Sequence, residues 1–182
     1  MEEYEKATTV MCTVIGMDYA NNLSYRACSL CERTLPDTLN DTLCKFCHSN
    51  AAAAASSSSS KRLFRILWNK GSLESVYDFC FLGRFPLPRI PRVLNVMCFD
   101  RAARVLFGCS ADDFFHFSKL HPFAASNAAK ILEGEVFRMT LSRPKNGNAQ
   151  HLRAVSIVPL RSGFKPAIES LKEFYGVKPA TS

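Results

Sequence analysis

The sequence predicts a mainly β fold, a small barrel of five strands with a metal-binding insert near the N-terminus and a helix near the C-terminus. Three features predict it. Segments of strand length rich in β-branched and apolar residues recur, two Cys-x-x-Cys pairs interrupt them early, and an amphipathic segment follows the last strand. With 182 residues, 47% of them hydrophobic and 21% charged, the chain can form one domain with a core and a small appended module.

The charge balance points weakly to an anionic partner. Twenty-three Lys and Arg residues against 16 Asp and Glu give a net charge of +7, which favours nucleic acid, although a solvated basic surface is equally compatible with it. Apolar runs stop well short of the ~18 residues of a membrane span, and the acidic start MEEYEKATTV is unlike a signal peptide. We therefore expect an intracellular protein without a membrane partner, whose thiols stay reduced.

The first predicted strand, TVMCTVIGMD at residues 9–18, precedes four cysteines with metal-ligand spacing. They form C-x2-C, a twelve-residue spacer and a second C-x2-C: Cys28, Cys31, Cys44 and Cys47. Two turns that each bring two thiolates together fit the tetrahedral site of one Zn²⁺, and the polar, proline-containing spacer suits a hairpin tip. Four protein ligands leave no position for a substrate, so this zinc would be structural.

Other interpretations of the cysteines remain open. A thioredoxin-like redox pair accounts for only one of the two motifs, and ordinary buried thiols account for neither. His48 directly follows the last cysteine and could replace it as a ligand. The remaining cysteines lack ligand spacing, and most of them lie among apolar neighbours, which favours a buried, hydrophobic role: Cys12, Cys80, Cys98 and Cys109.

Two strands and two irregular stretches follow the cysteines. AAAAASSSSS at residues 51–60 is a low-complexity linker, KRLFRILW at 61–68 is the second strand, and VLNVMCFD at 93–100 is the third. Residues 69–92 contain three prolines, which prevent regular strand pairing, yet they are too apolar for an ordinary exposed loop. We predict that they are an insertion in the turn between the second and third strands.

Short helices follow the third strand. Asp100 is expected to cap the helix RAARVLF, which Gly108 ends, and Ser110 with Asp113 forms a capping pattern for ADDFFHFSKL. The aromatic residues of the second helix are expected to face the core at one end of the barrel, although a ligand-binding cluster is the alternative: Phe114, Phe115 and Phe117.

A hairpin and a helix complete the predicted fold. EVFRMTLSRP at 135–144 alternates, with Phe137, Met139 and Leu141 on one face, and KNGN favours a tight turn to the antiparallel strand at 151–160. Pro166 opens and Gly176 closes an amphipathic helix. Its apolar face is predicted to comprise Ile168, Leu171 and Phe174. Five strands with a helix between the third and fourth form an OB-fold barrel.

Three segments of the chain resemble the C-terminal DNA-binding domain of the replication protein A large subunit: YRAC with the two Cys-x-x-Cys pairs, RLFRIL, and VMCFDRAARVLFGCSADDFF. The resemblance runs from about Thr9 to Tyr175. It implies a zinc ribbon inserted between the first two strands of an OB-fold, with Cys28, Cys31, Cys44 and Cys47 as ligands. It also implies binding of single-stranded DNA and a C-terminal helix that docks replication protein A-like subunits.

The resemblance and the sequence together divide the chain. We predict an OB-fold domain at 9–176, a zinc ribbon at 25–50, a linker at 51–60, the insertion at 69–92 and a tail at 177–182. The alanine-serine run and the insertion have no counterpart in the family, and the other DNA-binding domains of a large subunit are absent from this sequence. The chain therefore resembles a lone module or a fragment of the family.

The OB-fold predicts where a single strand would bind. The nucleic-acid strand crosses the face of β-strands two and three, between the loops that join strands one to two and four to five. Basic residues near these loops are predicted to contact phosphates: Arg26, Lys61, Arg62, Arg65, Arg143, Lys145, His151 and Arg153. Trp68 or Phe64 could stack on a base, with Phe64 weighted toward the core. Part of the list must point away from the ligand, since alternate strand residues face opposite ways.

The sequence contains no recognisable catalytic arrangement, phosphate-binding glycine loop or open metal site, so we expect neither an enzyme nor a small-molecule substrate. The predicted function is single-stranded DNA binding in replication, repair or recombination, in the nucleus. One alternative is a protein-interaction module that docks subunits through the zinc ribbon and the C-terminal helix. Another is a zinc ribbon that binds duplex DNA or RNA in transcription, which only the cysteines favour.

Overall fold

The computed structural model describes residues 7–37, 44–48, 60–72, 93–143 and 151–177. The strands within these ranges are β1 (Thr8–Met17), β2 (Ser24–Cys28), β3 (Ser60–Ser72), β4 (Val93–Phe99), β5 (Val136–Ser142) and β6 (Leu152–Pro159). The helices are α1 (Lys45–His48), α2 (Asp100–Phe107), α3 (Ala111–Leu120), α4 (Ala124–Leu132) and α5 (Ala167–Phe174). The mainly β fold class is confirmed.

Five of the strands close into a barrel. Antiparallel pairing joins β1 to both β3 and β5, β3 to β4, and β5 to β6, and parallel pairing of β4 with β6 completes the ring. The short β2 lies outside the ring and pairs with the first residues of β3. This is the predicted OB-fold barrel, with the cysteine-containing segment between β1 and β3.

Barrel closure decides which strand residues form the core, because side chains alternate between the interior and the exterior. In β3 the alternate residues Phe64, Ile66 and Trp68 are fully buried, as are Val96 and Cys98 in β4. The predicted alternation of β5 is confirmed by three buried residues: Phe137, Met139 and Leu141. Arg65, Leu67 and Asn69 of β3 and Asn95, Met97 and Phe99 of β4 therefore project from the outer surface of the sheet.

Local sequence signals set most of the helix ends. Ser110 caps α3 as predicted, since its hydroxyl oxygen accepts the Asp113 N–H at 3.1 Å. Gly108 ends α2 in the left-handed conformation, with φ of 71°, and an added Cβ would lie 2.4 Å from Pro166. Asp100 does not cap α2 but lies in its first turn. From there its carboxylate accepts a hydrogen bond from the Phe64 N–H at 3.2 Å, which joins the helix to the sheet.

The aromatic residues of α3 divide between core and surface. Phe114 is buried against the rings of Phe64 and Phe107 at one end of the barrel, as predicted. Phe117 is partly buried against Tyr175, whereas Phe115 is half-exposed and lines a surface cavity. Core packing thus accounts for part of the cluster only.

One prediction for α5 is wrong. Ile168 and Leu171 are buried, but Phe174 is 72% exposed. Each three-residue step along a helix turns the side chain by about 60°, so Phe174 lies about 120° away from Ile168 and beyond the edge of the buried face. Tyr175 occupies the contact position instead and stacks on His121 at 4.2 Å between ring centres.

Strand β3 extends beyond its predicted end at Trp68. Its last residues keep the ladder with β4, where Gly71 pairs with Val93, so residues 69–72 belong to the barrel. Residues 73–92, the linker residues 51–59, the turn at 144–150 and the tail from 178 lie outside the described residues. The linker and insertion therefore stay predictions. Among the described residues, no helix combines the length and apolar character needed to cross a lipid bilayer.

Candidate functional site

The four predicted ligand cysteines meet at one point. The sulfur atoms of Cys28 and Cys47 lie 3.7 Å apart, those of Cys31 and Cys44 lie 3.6 Å apart, and all four fall within 4.8 Å of one another. A disulfide would need about 2 Å. Tetrahedral ligands bound at ~2.3 Å lie about 3.8 Å apart, so the sulfurs are spaced as a bound Zn²⁺ requires. These residues can hold a metal ion.

Backbone N–H groups favour the thiolate form at two of the cysteines. The N–H groups of Cys31 and Leu30 donate to the Cys28 sulfur and lower its pKa to about 6. Those of Cys47 and Phe46 likewise lower the pKa of Cys44. The neighbouring sulfurs of Cys31 and Cys28 raise the pKa of Cys47 to about 12. Four thiolates crowd together only where a cation balances their charge, so this set of four sulfurs fits a bound metal ion.

The chain builds this metal site with a tight turn at the end of β2. The Glu32 N–H donates to the Cys28 carbonyl at 3.0 Å, and Glu32 adopts φ of 58°, a left-handed conformation that is uncommon for a residue with a side chain. Leu35 and the two buried cysteines, Cys28 and Cys44, form a small separate core. The alternative ligand His48 has a side chain outside the described part of the structure.

A second cluster lies on the outer surface of β3 and β4. We call it the outer face and define it by the outward residues Arg65, Leu67 and Asn69 of β3, Asn95, Met97 and Phe99 of β4, and Arg153 of β6. Arg65 is paired with Phe99 across the ladder, and Met97 is paired with Arg153. Two arginines therefore lie beside apolar side chains on this face, which spans three neighbouring strands.

Cations and aromatic rings are adjacent on this face. The Arg153 guanidinium carbon lies 4.6 Å from the centre of the Phe99 ring, and that of Arg65 lies 5.6 Å from the Tyr25 ring. A cavity of about 300 Å³ opens beside Phe99, with Arg101, Ser142 and Arg153 among its lining residues. Its size is at the lower end of small-ligand pockets.

The predicted basic residues separate into two groups. Arg65 and Arg153 are exposed on the outer face, and Arg143 is exposed at the end of β5 beside the cavity. His151 is half-buried just before β6, and Lys145 lies outside the described residues. Arg143 and His151 flank the segment that joins β5 to β6.

The other three predicted basic residues are engaged within the protein. Arg26 donates to the Pro36 carbonyl at 3.0 Å and to the Ser60 hydroxyl at 3.2 Å. Lys61 binds Glu32 at 2.6 Å and, through this hydrogen bond and its charge, lowers the pKa of that carboxyl.

Arg62 points to the opposite side of the strand from Arg65, because it shares its alternation with Phe64, and contacts Phe115 of α3. Arg62 thus belongs to the part of the basic set that strand alternation turns away from the face of Arg65.

The structure corrects the prediction that Trp68 could stack on a base. Its side chain is 0% exposed in the barrel core, so a base cannot stack on it. The indole Nε1 has no hydrogen-bond partner among the described residues, an uncommon state for a buried donor. Phe64 is likewise core, in line with the weighting given to it.

Sequence reasoning missed two aromatic residues, Phe99 of the outer face and Tyr25 of β2 beside Arg65. In the segment Val96-Met97-Cys98-Phe99 every residue is apolar, so alternation gives no sign of which pair faces outward. The one available signal was the register: if Cys98 is core, Phe99 must lie outside.

Two solved structures are similar to nearly the whole chain. A chain of a replication protein A heterotrimer bound to ssDNA matches with a TM-score of 0.61 and 15% sequence identity, over 94% of this chain and 35% of that one. Yeast RPA bound to ssDNA matches with a TM-score of 0.56 and 12% identity, over 97% of this chain and 89% of that one. The chain has the fold of a replication protein A OB domain.

The resemblance drawn from the cysteine and strand motifs is thus confirmed at the level of the fold. This chain spans about a third of the first of these two chains. No protein-family model matches the sequence, and no curated protein does. The replication protein A-like fold does not by itself identify a ligand, which depends on the residues of the two sites.

Proposed function

We propose that this chain is a non-enzymatic, single-stranded DNA-binding module and that the strand crosses the outer face. The observation that carries the proposal is the adjacency of Phe99 and Arg153, with Arg65 and Tyr25 beside them on the same surface. Aromatic rings bind bases of any sequence and arginines bind phosphates, which together suit a single strand. Both similar structures have ssDNA bound, which supports the same ligand here.

The aromatic residues would hold the bases. Phe99 lines the cavity at the end of β4, where a base could lie against its ring while Arg101 or Arg153 contacts the adjoining phosphate. Stacking of one base on an aromatic side chain contributes roughly 1–3 kcal/mol and depends little on salt. Phe99 thus takes the role that sequence reasoning gave to Trp68.

The segment between β5 and β6 would form one wall of the binding surface. Arg143 and His151 stand at its two ends, Ser142 is paired with Arg153, and Lys145 belongs to the same connection. Cations here would contact the phosphate backbone without reading sequence. Arg26, Lys61 and Arg62 contribute no phosphate contacts in this proposal, because they are engaged elsewhere.

The metal that we propose for the cysteine site is one structural Zn²⁺. Bound zinc would supply the charge that keeps four thiolates together and would fold the ribbon. Cys28 ends β2, and β2 pairs with the start of β3, so the ribbon continues the sheet that carries Tyr25 and Arg65. The metal would thereby hold one edge of the outer face without contacting DNA.

The deciding experiment compares three ligands of equal length: oligo-dT, the matching RNA and a DNA duplex. Fluorescence anisotropy over a range of salt concentrations should show binding to oligo-dT with a negative slope of log affinity against log salt. Duplex binding that equals or exceeds oligo-dT binding would reject the proposal in favour of a duplex-binding zinc ribbon. Replication, repair or recombination, and the nucleus, are the setting proposed for the module.

A second candidate function is subunit docking through the C-terminal helix. Three large apolar side chains are exposed near the end of α5 and the start of α4, namely Leu120 (78%), Phe123 (72%) and Phe174 (72%). Exposed apolar residues beside a helix end suit a helical partner such as a replication protein A-like subunit. Replacing Leu120 and Phe174 by Asp should then abolish co-elution with such subunits and leave oligo-dT binding unchanged.

A further inference from the structure

A second cavity lies away from the outer face. It measures about 480 Å³ and lies between the segment that precedes β2, the start of β3 and one side of α3. Its lining residues include Tyr19, Leu23, Asp37, Arg62, Phe115 and Lys119. Arg62 projects into it from the side of β3 opposite to Arg65, so this cavity is separate from the proposed DNA-binding surface.

Two cations are held against one ring in this cavity. The Arg62 guanidinium carbon lies 3.6 Å from the centre of the Phe115 ring, and the Lys119 ammonium lies 4.5 Å from the same centre. Lys119 follows Phe115 by one helical turn, which keeps the two together. The Arg62 backbone N–H donates to Asp112 at 3.0 Å and anchors this end of β3 to α3. The backbone of Arg62 is thus anchored, and the contact with the Phe115 ring holds its guanidinium at the cavity.

In the described part of the chain, Arg62 and Lys119 form few contacts with carboxylates. Within the described residues, the acid nearest the Arg62 guanidinium is Asp37 at 3.8 Å, which is longer than a hydrogen bond. Asp18, at the start of the neighbouring segment, already accepts from the Ala20 N–H and the Asn21 amide. The buried hydroxyl of Ser118, which also lines the cavity, has no partner among the described residues. Among the residues that the structure describes, the Phe115 ring and, for Arg62, the long ion pair with Asp37 are the contacts of these two cations, so both can still donate hydrogen bonds to an anion.

We propose that this cavity binds an acidic peptide segment of a partner protein, with one carboxylate held between Arg62 and Lys119. Arginine and lysine donate charge-assisted hydrogen bonds to a carboxylate, and a guanidinium held against a ring loses little entropy on binding. An apolar side chain of the same segment would contact the floor of the cavity, where Leu23, Phe114 and Ala125 lie. The partner's carboxylate would displace Asp37 from its long ion pair.

A peptide fits this cavity better than a second stretch of nucleic acid. The Phe115 ring is already in contact with two cations, so its face is not free to stack on a base. Tyr19 is exposed at the rim, and the other lining groups are mixed: charged side chains, two phenylalanine rings, and the small, polar and aliphatic side chains of residues 20–24. Such walls suit a main chain with mixed side chains. The inference does not depend on whether the outer face binds DNA.

The test uses the full chain and the fluorescein-labelled peptide Asp-Glu-Leu-Asp-Phe-Glu-Glu, with Asn-Gln-Leu-Asn-Phe-Gln-Gln as its neutral match. We expect saturable binding of the acidic probe and none of the neutral one. Arg62→Gln should weaken binding by about tenfold, as loss of a charge-assisted hydrogen bond implies, and Lys119→Ala should weaken it by a smaller factor. Asp37→Asn should strengthen binding, because it removes the competing carboxylate.

The control is Lys130→Ala, which changes the same charge at an exposed position of α4 outside the cavity and should leave peptide binding unchanged. Oligo-dT binding should be unaffected by Lys119→Ala. If Lys119→Ala weakens oligo-dT binding instead, the cavity belongs to a nucleic-acid path and the peptide proposal is wrong. It is equally wrong if the acidic probe does not bind, or if Lys130→Ala weakens it as much as Lys119→Ala.

Discussion

The Arg153 guanidinium carbon lies 4.6 Å from the centre of the Phe99 ring, although the two residues are far apart in the sequence. They meet because β4 and β6 pair in parallel at the point where the barrel closes, with Met97 opposite Arg153. The contact brings an aromatic ring and a cation together on one surface, as the proposed binding of a single strand requires.

Replacing Phe99 by Ala should therefore weaken oligo-dT binding by at least about fivefold, because the stacking of one base is lost. Phe99 is half-exposed, so its removal should cost little stability. Anisotropy titrations measure the loss, and a melting curve checks the fold. Phe174→Ala, at another exposed phenylalanine, is the matched control and should bind as the parent does. Equal affinity of the two variants would show that Phe99 is no base platform.

Replacing Arg143, Lys145 and Arg153 together by Ala should flatten the salt dependence of oligo-dT binding. Each phosphate contact contributes roughly 0.7 to the slope of log affinity against log salt, so the slope should fall by about two units or less. Binding through Phe99 should persist in high salt. The control triple replaces exposed basic residues on other surfaces, Lys130, Arg138 and Lys172. An unchanged slope in the first triple would mean that the β5–β6 wall is merely a solvated surface.

Metal analysis of protein purified without chelator should find about one equivalent of zinc. Cys44→Ser should abolish stoichiometric zinc and lower the melting temperature, because the ribbon has only a small apolar core of its own. Acidification should release the metal, since protons compete for the thiolates. Cys109→Ser, at a half-buried cysteine outside the site, should keep the zinc. A Cys44→Ser protein that retains both zinc and stability would contradict the metal site.

Trp68→Ala should destabilise the protein by about 3–5 kcal/mol, because it removes the largest buried side chain of the barrel. At a temperature where the variant remains folded, its affinity for oligo-dT should match that of the parent. Chemical denaturation and anisotropy measure the two effects separately. A stable variant with weakened DNA binding would place the indole at the ligand after all.

Replacing residues 73–92 by Asn-Gly should preserve the barrel. The last ladder pair, Gly71 with Val93, would then be closed by the three-residue loop Ser72-Asn-Gly, a common hairpin length. Soluble expression and an unchanged or higher melting temperature are the expected results if the segment is an insertion. Loss of soluble protein would show that the segment is an integral part of the fold.

The sequence by itself determined the features that depend on short-range pattern. The Cys-x-x-Cys spacing predicted the sulfur cluster, because residues three apart in a turn bring two thiols together wherever the turn lies. The alternation of Phe137, Met139 and Leu141 predicted their burial, since polar residues marked the other face of that strand. The Ser110 cap and the Gly108 stop needed only local backbone conformation.

The tertiary structure alone decided which apolar side chains face outward. Phe64, Trp68 and Phe99 lie in strands where side chains alternate between the two faces, but the sequence pattern does not show which of these apolar side chains face inward. Pairing of β4 with β6 and coverage by α2 and α3 decide this, so that Trp68 is buried and Phe99 lies beside Arg153. The direction of Arg62 also depends on the tertiary structure: it follows from burial of Phe64, and the contact with Phe115 exists only once α3 lies against the start of β3.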